Sequence, residues 1–375
     1  VVAAAVGPRP AVATVPAGFV DEAVASVSAP TAIAFTPDGR MLVTTQPGQL
    51  QVRPAPYSSA TTALDLSALP GAGSVVCTTS ERGLLGVAVD PEFVANRFVY
   101  LYYTFNGPGG CKNRVARFVL PDSNTVDPAS QVVLVDNIHS TAGNHNAGDL
   151  HFGRDGHLYV TVGDGGCDYA GDSGCGGAND AARDRHVLLG KVLRVTRDGD
   201  IPAGNPFQGP GTARCNVTGS TTPGNTCQET FAWGLRNPFR FAFDPGSVAT
   251  RFLVNDVGQG AWEEVDLGEA GVDYGWNCRE GDNANPQAGA SCAGFPPASP
   301  PASPYRPPVY EYGRGTGAGD LESFIENRKP VVFIGPYEHH SNELTWRAGL
   351  CTVVVVRMGP DGGIGVGEAP ELVGE

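Results

Sequence analysis

The chain has 375 residues, with 25 basic and 39 acidic side chains and a net charge of −14. This acidic balance argues against a nucleic acid partner. Its 51 glycines and 31 prolines make it rich in turns, and no long window shows an apolar stripe of helical period, which predicts an all-β protein. No stretch reaches the roughly 18 apolar residues that would cross a membrane, so we expect no transmembrane segment.

The first segment, residues 1–16, is rich in Ala, Val and Pro. We interpret it as the remnant of a removed signal peptide or as a linker. The main body of the chain follows from residue 17.

Cysteine spacing indicates the cellular compartment. Eight of the nine cysteines fall into neighbouring pairs, and only Cys351 is left over. The CxxC spacing of zinc sites is absent. We therefore predict four disulfides and a secreted or periplasmic protein, with free buried thiols in a cytosolic protein as the alternative. The predicted pairs are Cys77–Cys111, Cys167–Cys175, Cys215–Cys227 and Cys278–Cys292.

Four hairpin patterns recur along the chain, each with two apolar runs of period two around a turn rich in Pro, Asp or Gly. Their recurrence at roughly 50 to 90 residues is typical of propeller blades with inserted loops. Because a propeller gathers its loops around one axis, we expect functional residues just outside the hairpins. The patterns occupy Ala34–Val43, Val87–Tyr102, Leu150–Thr161 and Phe241–Val254.

Two loops flank the third hairpin. The first, residues 143–149, places His145 between glycines, and the second contains Asp164 within residues 163–166. A loop histidine facing the axis has a pKa suited to a general base. The alternative is a histidine that only hydrogen-bonds a neighbouring carbonyl.

Two further motifs lie beside the fourth hairpin. Arg236 and Asn237 precede it and offer a guanidinium and an amide to a carboxylate or a quinone; a salt bridge between blades is the alternative. The Gly-rich turn at 258–260, next to Glu263 and Glu264, offers the oxygen ligands that calcium prefers. A solvated turn would have the same composition.

Five segments in this order resemble one family, the soluble sugar dehydrogenases that depend on pyrroloquinoline quinone (PQQ), known as the glucose/sorbosone dehydrogenase family. The likeness covers about residues 17–315 and implies a six-bladed β-propeller over residues 17–316. The segments are 83–93 (GLLGVAVDPEF), the His145 loop with its hairpin, 190–195 (GKVLRV), 234–245 (GLRNPFRFAFDP) and 272–276 (VDYGW).

The resemblance implies that the protein oxidises an aldose sugar at C1 to a lactone, with PQQ and calcium as cofactors and an external electron acceptor. His145 matches the family's general base. Arg236 and Asn237 match residues that contact PQQ and line the substrate site, and Arg236 is predicted to be catalytic as well. Glu81 and Asp164 are predicted as further cofactor-binding residues.

The resemblance also implies calcium ligands. The main-chain carbonyls of Gly258 and Gln259 match those that hold the calcium beside PQQ. The Glu264 side chain and the Tyr274 carbonyl resemble ligands of a second, structural calcium.

Two departures leave the substrate open. Glu81 and Phe239 stand where the best-known glucose-oxidising members carry glutamine and a polar residue, so aldoses in general are expected rather than glucose. The alternative is a calcium-bearing propeller without redox activity, either a lactonase or a carbohydrate-binding protein. Glu81, Asp164 and Glu263 would then be the candidates for an axial metal cage.

The chain leaves the family pattern after Tyr310–Gly313. Residues 317–375 resemble a fragment of a class V, pyridoxal-phosphate-dependent aminotransferase, in which His339 matches the residue that stacks on the cofactor ring. No lysine follows Lys329, so a Schiff base cannot form there and independent pyridoxal chemistry is excluded. We therefore expect an incomplete propeller followed by an atypical α/β-like tail from a fusion, frameshift or assembly joint.

Overall fold

A computed structural model describes residues 24–71, 75–107, 109–166, 181–288, 292–295 and 304–314. In this part of the chain the regular structure is almost entirely β-strand. The helices there are single turns: α1 (Phe93–Asn96) and two 3-10 turns at Leu66–Ala68 and Pro128–Ser130. The expected all-β class is confirmed.

Four antiparallel sheets of four strands follow one another along the chain as propeller blades. The first blade contains β1 (Pro30–Phe35), β2 (Met41–Thr45), β3 (Gln49–Arg53) and β4 (Thr61–Asp65). The second contains β5 (Leu84–Val89), β6 (Phe98–Gly107), β7 (Gly110–Val119) and β8 (Val132–His139).

The third and fourth blades have insertions. The third consists of β9 (Leu150–Phe152), β10 (Leu158–Val162), β11 (Lys191–Val195) and β14 (Thr230–Trp233), with the small parallel pair β12 (Thr212–Ala213) and β13 (Thr226–Cys227) inserted. The fourth consists of β15 (Pro238–Phe243), β16 (Phe252–Asp256), β17 (Trp262–Leu267) and β20 (Tyr310–Gly313), with the antiparallel pair β18 (Arg279–Glu280) and β19 (Asn283–Ala284) inserted.

The core lies between the blades. Leu101 and Tyr102 are neighbours on β6, yet Leu101 packs toward the first blade and Tyr102 toward the third. On β10, Val160 packs toward the second blade and Tyr159 toward the fourth. Successive side chains of a strand point to opposite faces, so a strand buried on both faces becomes a continuous apolar run. Burial of each large apolar side chain contributes about 1.5–3 kcal/mol.

All four predicted hairpins are present with antiparallel register. Phe35 pairs with Met41, Val89 with Val99, Phe152 with Leu158 and Phe243 with Phe252. The described residues form four blades, and a six-bladed count and an incomplete ring stay predictions.

Three of the predicted disulfides are confirmed: Cys77–Cys111, Cys215–Cys227 and Cys278–Cys292. The pair Cys167–Cys175 and the leftover Cys351 lie outside the described residues, as do the segments 1–16 and 317–375. Within the described ranges no helix has the length and apolar character of a membrane span.

Candidate functional site

A cavity of about 250 Å³ lies where the inner ends of the blades converge. Thr31 comes from the first blade, Glu81 from the loop before the second, Ala147 from the loop before the third, and Arg240 from the fourth. Arg240 Nη2 donates to the Thr31 carbonyl at 2.7 Å, so the fourth blade reaches the first. The cavity therefore lies on the propeller axis, where the loops were expected to meet.

His145 is held in the loop above β9 by its own backbone and by its ring. Its φ of 52° is in the left-handed region, which costs a non-glycine residue free energy and is often found at functional sites. The His145 N–H donates to Glu81 Oε2 at 2.7 Å, which stabilises this conformation. The side chain is only 6% exposed.

Asp164 fixes the orientation of the His145 ring. Its Oδ1 lies 2.7 Å from His145 Nδ1 and accepts from the Gly166 N–H, while its Oδ2 accepts from Trp276 Nε1 at 2.8 Å. Burial alone would raise the pKa of Asp164, but the adjacent His145 and Arg236 and the Gly166 N–H lower it. In a neutral His145 ring, an ionised Asp164 favours the tautomer with the proton on Nδ1 and the lone pair on Nε2.

Gly163 is required for this arrangement. A Cβ at this position would lie 2.1 Å from the His145 carbonyl oxygen and 3.0 Å from Asn237 Oδ1. The loop before β9, the end of β10 and the start of β15 can approach this closely only because residue 163 has no side chain.

The predicted Arg236–Asn237 pair lies against the same loop. Asn237 Oδ1 accepts from the Ala147 N–H at 3.2 Å, and Nδ2 donates to Glu81 Oε2 at 3.4 Å. The Arg236 carbonyl accepts from the Asp164 N–H at 2.8 Å. The Arg236 guanidinium lies 5.4 Å from the centre of the Trp276 ring.

These contacts join five of the predicted residues into one network: Glu81, His145, Asp164, Arg236 and Asn237. Sequence reasoning assigned no role to Trp276, although it lies in the 272–276 motif. Its position beside Tyr274 was the only sequence signal that it belongs to the site. Its contact partner Asp164 lies 112 residues away in the sequence, so no local pattern marks the contact.

The two predicted calcium-binding carbonyls accept hydrogen bonds from arginines. Arg236 Nη1 donates to the carbonyls of Val257 and Gly258, each at 3.0 Å. The Gln259 carbonyl accepts from Arg314 Nη1. Guanidinium groups thus lie where a cation was expected, and nothing in this donor geometry indicates a metal. Because a carbonyl oxygen has two lone pairs, the role of Gly258 and Gln259 as ligands stays a prediction.

Glu264 belongs to a different group, a cluster of three carboxylates formed with Asp256 and Asp266. One oxygen of each lies within 4.8 Å of the others, and all three side chains are buried. Asp256 pairs across the sheet with Glu264, and Asp266 lies two residues further along the same strand, so all three face the same side. Sequence analysis missed Asp256 and Asp266, although this alternation on β17 was the available signal.

The cluster is short of positive charge. Both oxygens of Asp266 and Oε2 of Glu264 are buried without a hydrogen-bond partner among the described residues. Burial raises the pKa of Asp256 to about 7 and, with the neighbouring carboxylates, raises the pKa of Glu264 and Asp266 well above their usual range. Three buried carboxylates with unpartnered oxygens are a donor set that fits a divalent cation.

Other predicted metal residues have different partners. Glu263 accepts from the Gly258 N–H at 3.0 Å and pairs with Arg314 at 3.0 Å. The Tyr274 hydroxyl donates to the Leu267 carbonyl at 2.6 Å. The predicted ligand is the Tyr274 main-chain carbonyl, and its role stays a prediction. The suggested axial cage of Glu81, Asp164 and Glu263 is not among the ligand clusters in the described part of the chain. The second such cluster, Cys215, Cys227 and Glu229, contains a disulfide and so cannot supply thiolates.

The fold and the site together define a class of protein: a β-propeller with a buried histidine–aspartate pair beside an axial cavity. The model of the glucose/sorbosone dehydrogenase family matches residues 27–322. The chain belongs to this family, which confirms the resemblance read from the five segments. The aminotransferase likeness of residues 317–375 finds no support in the comparisons.

Named relatives agree with this assignment. The chain is 28% identical over 249 residues to the aldose sugar dehydrogenase YliI of Escherichia coli, covering 66% of this chain and 58% of that protein. It is 30% identical over 258 residues to the uncharacterized protein slr1608 of Synechocystis, covering 66% of this chain and 56% of that protein.

A solved structure shows the same fold. The PQQ-bound aldose sugar dehydrogenase of Streptomyces coelicolor superposes with a TM-score of 0.58 at 25% identity, covering 79% of this chain and 71% of that chain. The chain spans only about half the length of the curated relatives it matches, 56% and 58% for the two above.

Proposed function

We propose that this protein is a PQQ- and calcium-dependent sugar dehydrogenase that oxidises an aldose at C1 to the lactone, with His145 as the general base. The observation that carries the proposal is the buried pair of His145 Nδ1 and Asp164 Oδ1, 2.7 Å apart beside an axial cavity. Family membership and the named sugar dehydrogenases among the relatives support it.

His145 would remove the proton from the anomeric hydroxyl at Nε2. Asp164 holds the ring through Nδ1 and stabilises the imidazolium that forms, because an ionised carboxylate lies next to the new positive charge. Trp276 and Gly166 hold Asp164 through one hydrogen bond to each of its two oxygens, so the pair keeps its geometry. Hydride acceptance from C1 is the chemistry that the quinone supplies when bound.

Arg236, Asn237, Glu81 and Asp164 are the residues that would hold PQQ and the sugar. A guanidinium near an indole ring and an amide hydrogen-bonded to Glu81 and Ala147, which line the cavity, form a donor set that fits a planar quinone bearing carboxylates. The Asp256–Glu264–Asp266 cluster is the part of the site that fits calcium. An aldose substrate, an external electron acceptor and an oxidising compartment, the last supported by three disulfides, belong to the same proposal.

The test is reconstitution of the purified protein with PQQ and calcium, followed by dye reduction with several aldoses. We expect sugar-dependent reduction that His145→Gln lowers by about 10²- to 10⁴-fold, the usual effect of losing a general base. His157→Gln is the matched control, since His157 lies in the turn of the β9–β10 hairpin.

Two outcomes would refute the proposal. One is failure to bind PQQ by absorbance titration. The other is sugar oxidation that is equally fast in the His145 and His157 variants. Lactone hydrolysis without PQQ would instead support the non-redox alternative.

A further inference from the structure

Asp256 connects the carboxylate cluster to the network around His145. Its Oδ2 accepts from the Arg236 N–H at 2.7 Å, and its Oδ1 accepts from the Asn237 N–H at 2.6 Å. The same carboxylate lies with Glu264 and Asp266 in the buried cluster. The Asp256 carboxylate therefore contacts both the backbone of the Arg236–Asn237 pair and the other two buried carboxylates of the cluster.

The size of the cluster fits calcium. Calcium binds oxygen ligands at about 2.3–2.6 Å, so two ligands of one ion lie at most roughly 5.2 Å apart. The three carboxylate oxygens lie within 4.8 Å of one another.

The unpartnered oxygens point to a missing positive charge. Both oxygens of Asp266, which is fully buried, lack a hydrogen-bond partner among the described residues. No ion pair in that part of the chain involves Asp256, Glu264 or Asp266. Among the residues that the structure describes, the hydrogen bonds to these three side chains are those that Asp256 accepts from the Arg236 and Asn237 N–H groups.

We propose that a calcium ion bound by Asp256, Glu264 and Asp266 positions the Arg236–Asn237 pair through the Asp256 carboxylate. With the ion bound, Asp256 is attracted to a fixed point and holds both backbone N–H groups. Without the ion, no cation draws Asp256 toward a fixed point, and the start of β15 is held less firmly. Asp256 is thus a positioning residue, and the proposal bears on catalysis only through the proposed function.

Amide hydrogen exchange tests this without PQQ or sugar. The full chain is freed of metal with a chelator, and exchange in the peptide covering residues 234–241 is followed by mass spectrometry with and without calcium. Calorimetry on the same samples measures the affinity for calcium. We expect calcium to slow exchange of the Arg236 and Asn237 amides by about tenfold or more, because their hydrogen bonds must open for exchange.

Variants separate the cluster from other calcium sites. Asp266→Asn removes one charge from the cluster without touching the contacts of Asp256, and should weaken calcium binding at least tenfold and abolish the protection at 234–241. Asp244→Asn is the control, since Asp244 lies at the far end of the same hairpin and pairs with exposed Arg251. Glu264→Gln replaces Asp266→Asn if the latter does not fold.

Each result decides the question. Calcium binding that leaves exchange at 234–241 unchanged would overturn the positioning role. Absence of binding in the unmodified protein, or equal affinity in the Asp266 and Asp244 variants, would overturn the site. Failure of sugar oxidation alone would count against the proposed function and leave this inference intact.

Discussion

Asp164 and Asp266 are both fully buried aspartates, and they differ in what surrounds their oxygens. Asp164 accepts from a histidine, a tryptophan and a backbone N–H, and its pKa is lowered. Asp266 has no hydrogen-bond partner in the described ranges, and burial raises its pKa. Burial acts to raise the pKa of both residues, but the net shifts are opposite, because Asp164 has donors around it and Asp266 has a neighbouring carboxylate.

The difference indicates which region is complete within the described chain. The network around Asp164 satisfies its charge with protein groups alone. The Asp256–Glu264–Asp266 cluster needs a cation or protons from outside. Substitutions of an aspartate by asparagine should accordingly have opposite effects in the two regions.

The largest expected effect is that of Asp164→Asn. An amide at this position no longer holds the proton on Nδ1 of His145, so we expect kcat for sugar oxidation to fall about 10²- to 10⁴-fold. Dye reduction with PQQ and calcium measures it, with Asp244→Asn as the control. A fall of less than about threefold would show that the pair does not act in the reaction.

In the Asp256–Glu264–Asp266 cluster, the same kind of substitution should stabilise the protein, and the effect should be smaller than the loss of activity at Asp164. In the presence of a chelator, Asp266→Asn should raise the free energy of unfolding by about 1–3 kcal/mol, because it removes a buried carboxyl group whose oxygens have no partner among the described residues. With calcium present, the unmodified protein should become the more stable of the two. Urea unfolding in both conditions measures this, and a loss of stability in chelator would contradict the comparison.

A buried cation offers a third case. Lys191 is fully buried on β11, and its ammonium donates to the carbonyls of Ala181, Ala182 and Leu189. Burial lowers the pKa of Lys191 to about 7. The Lys191 ammonium is hydrogen-bonded to neutral carbonyl groups. It is therefore intermediate between Asp164, which is near charged and neutral partners, and Asp266, which has no hydrogen-bond partner in the described ranges.

The lowered pKa gives a stability that depends on pH. Above pH 7 the unfolded chain holds a proton on Lys191 that the folded chain has lost, so stability rises with pH until the unfolded lysine also titrates near pH 10.5. Between pH 7 and 9 the free energy of unfolding should rise by about 2 kcal/mol relative to Lys191→Met. Urea unfolding across this range measures it, and parallel pH profiles would show that Lys191 stays charged.

The sequence predicted the hairpins well because alternation and turn residues are local. In each of the four predicted hairpins, the two strands lie within about 15 residues of sequence. The outer strands β4 and β20 were not predicted, since Thr61–Asp65 and Tyr310–Gly313 are short and partly exposed. Their pairing depends on a neighbouring strand that is already in place.

The sequence predicted which residues belong to the candidate site but not how they contact one another. His145, Asp164 and Arg236 lie in Gly-flanked loops, which the resemblance marked. That Arg236 would meet the Gly258 carbonyl, and that Asp256 would hold the backbone of Arg236 and Asn237, depends on contacts between strands some 20 residues apart. Local patterns carry no signal for such pairings.

The smallest expected effect concerns Glu81, the residue that stands where glutamine is typical. Its Oε2 accepts from the His145 N–H at 2.7 Å and from Asn237 Nδ2 at 3.4 Å. Glutamine keeps an oxygen that can accept both, so Glu81→Gln should change kcat by less than about threefold. Glu81→Ala removes an acceptor worth about 1 kcal/mol, so kcat should fall roughly fivefold as the left-handed His145 backbone loses its anchor. Equal losses in both variants, measured by dye reduction against Glu92→Gln, would mean that the charge of Glu81, and not only its acceptor oxygen, is needed for activity.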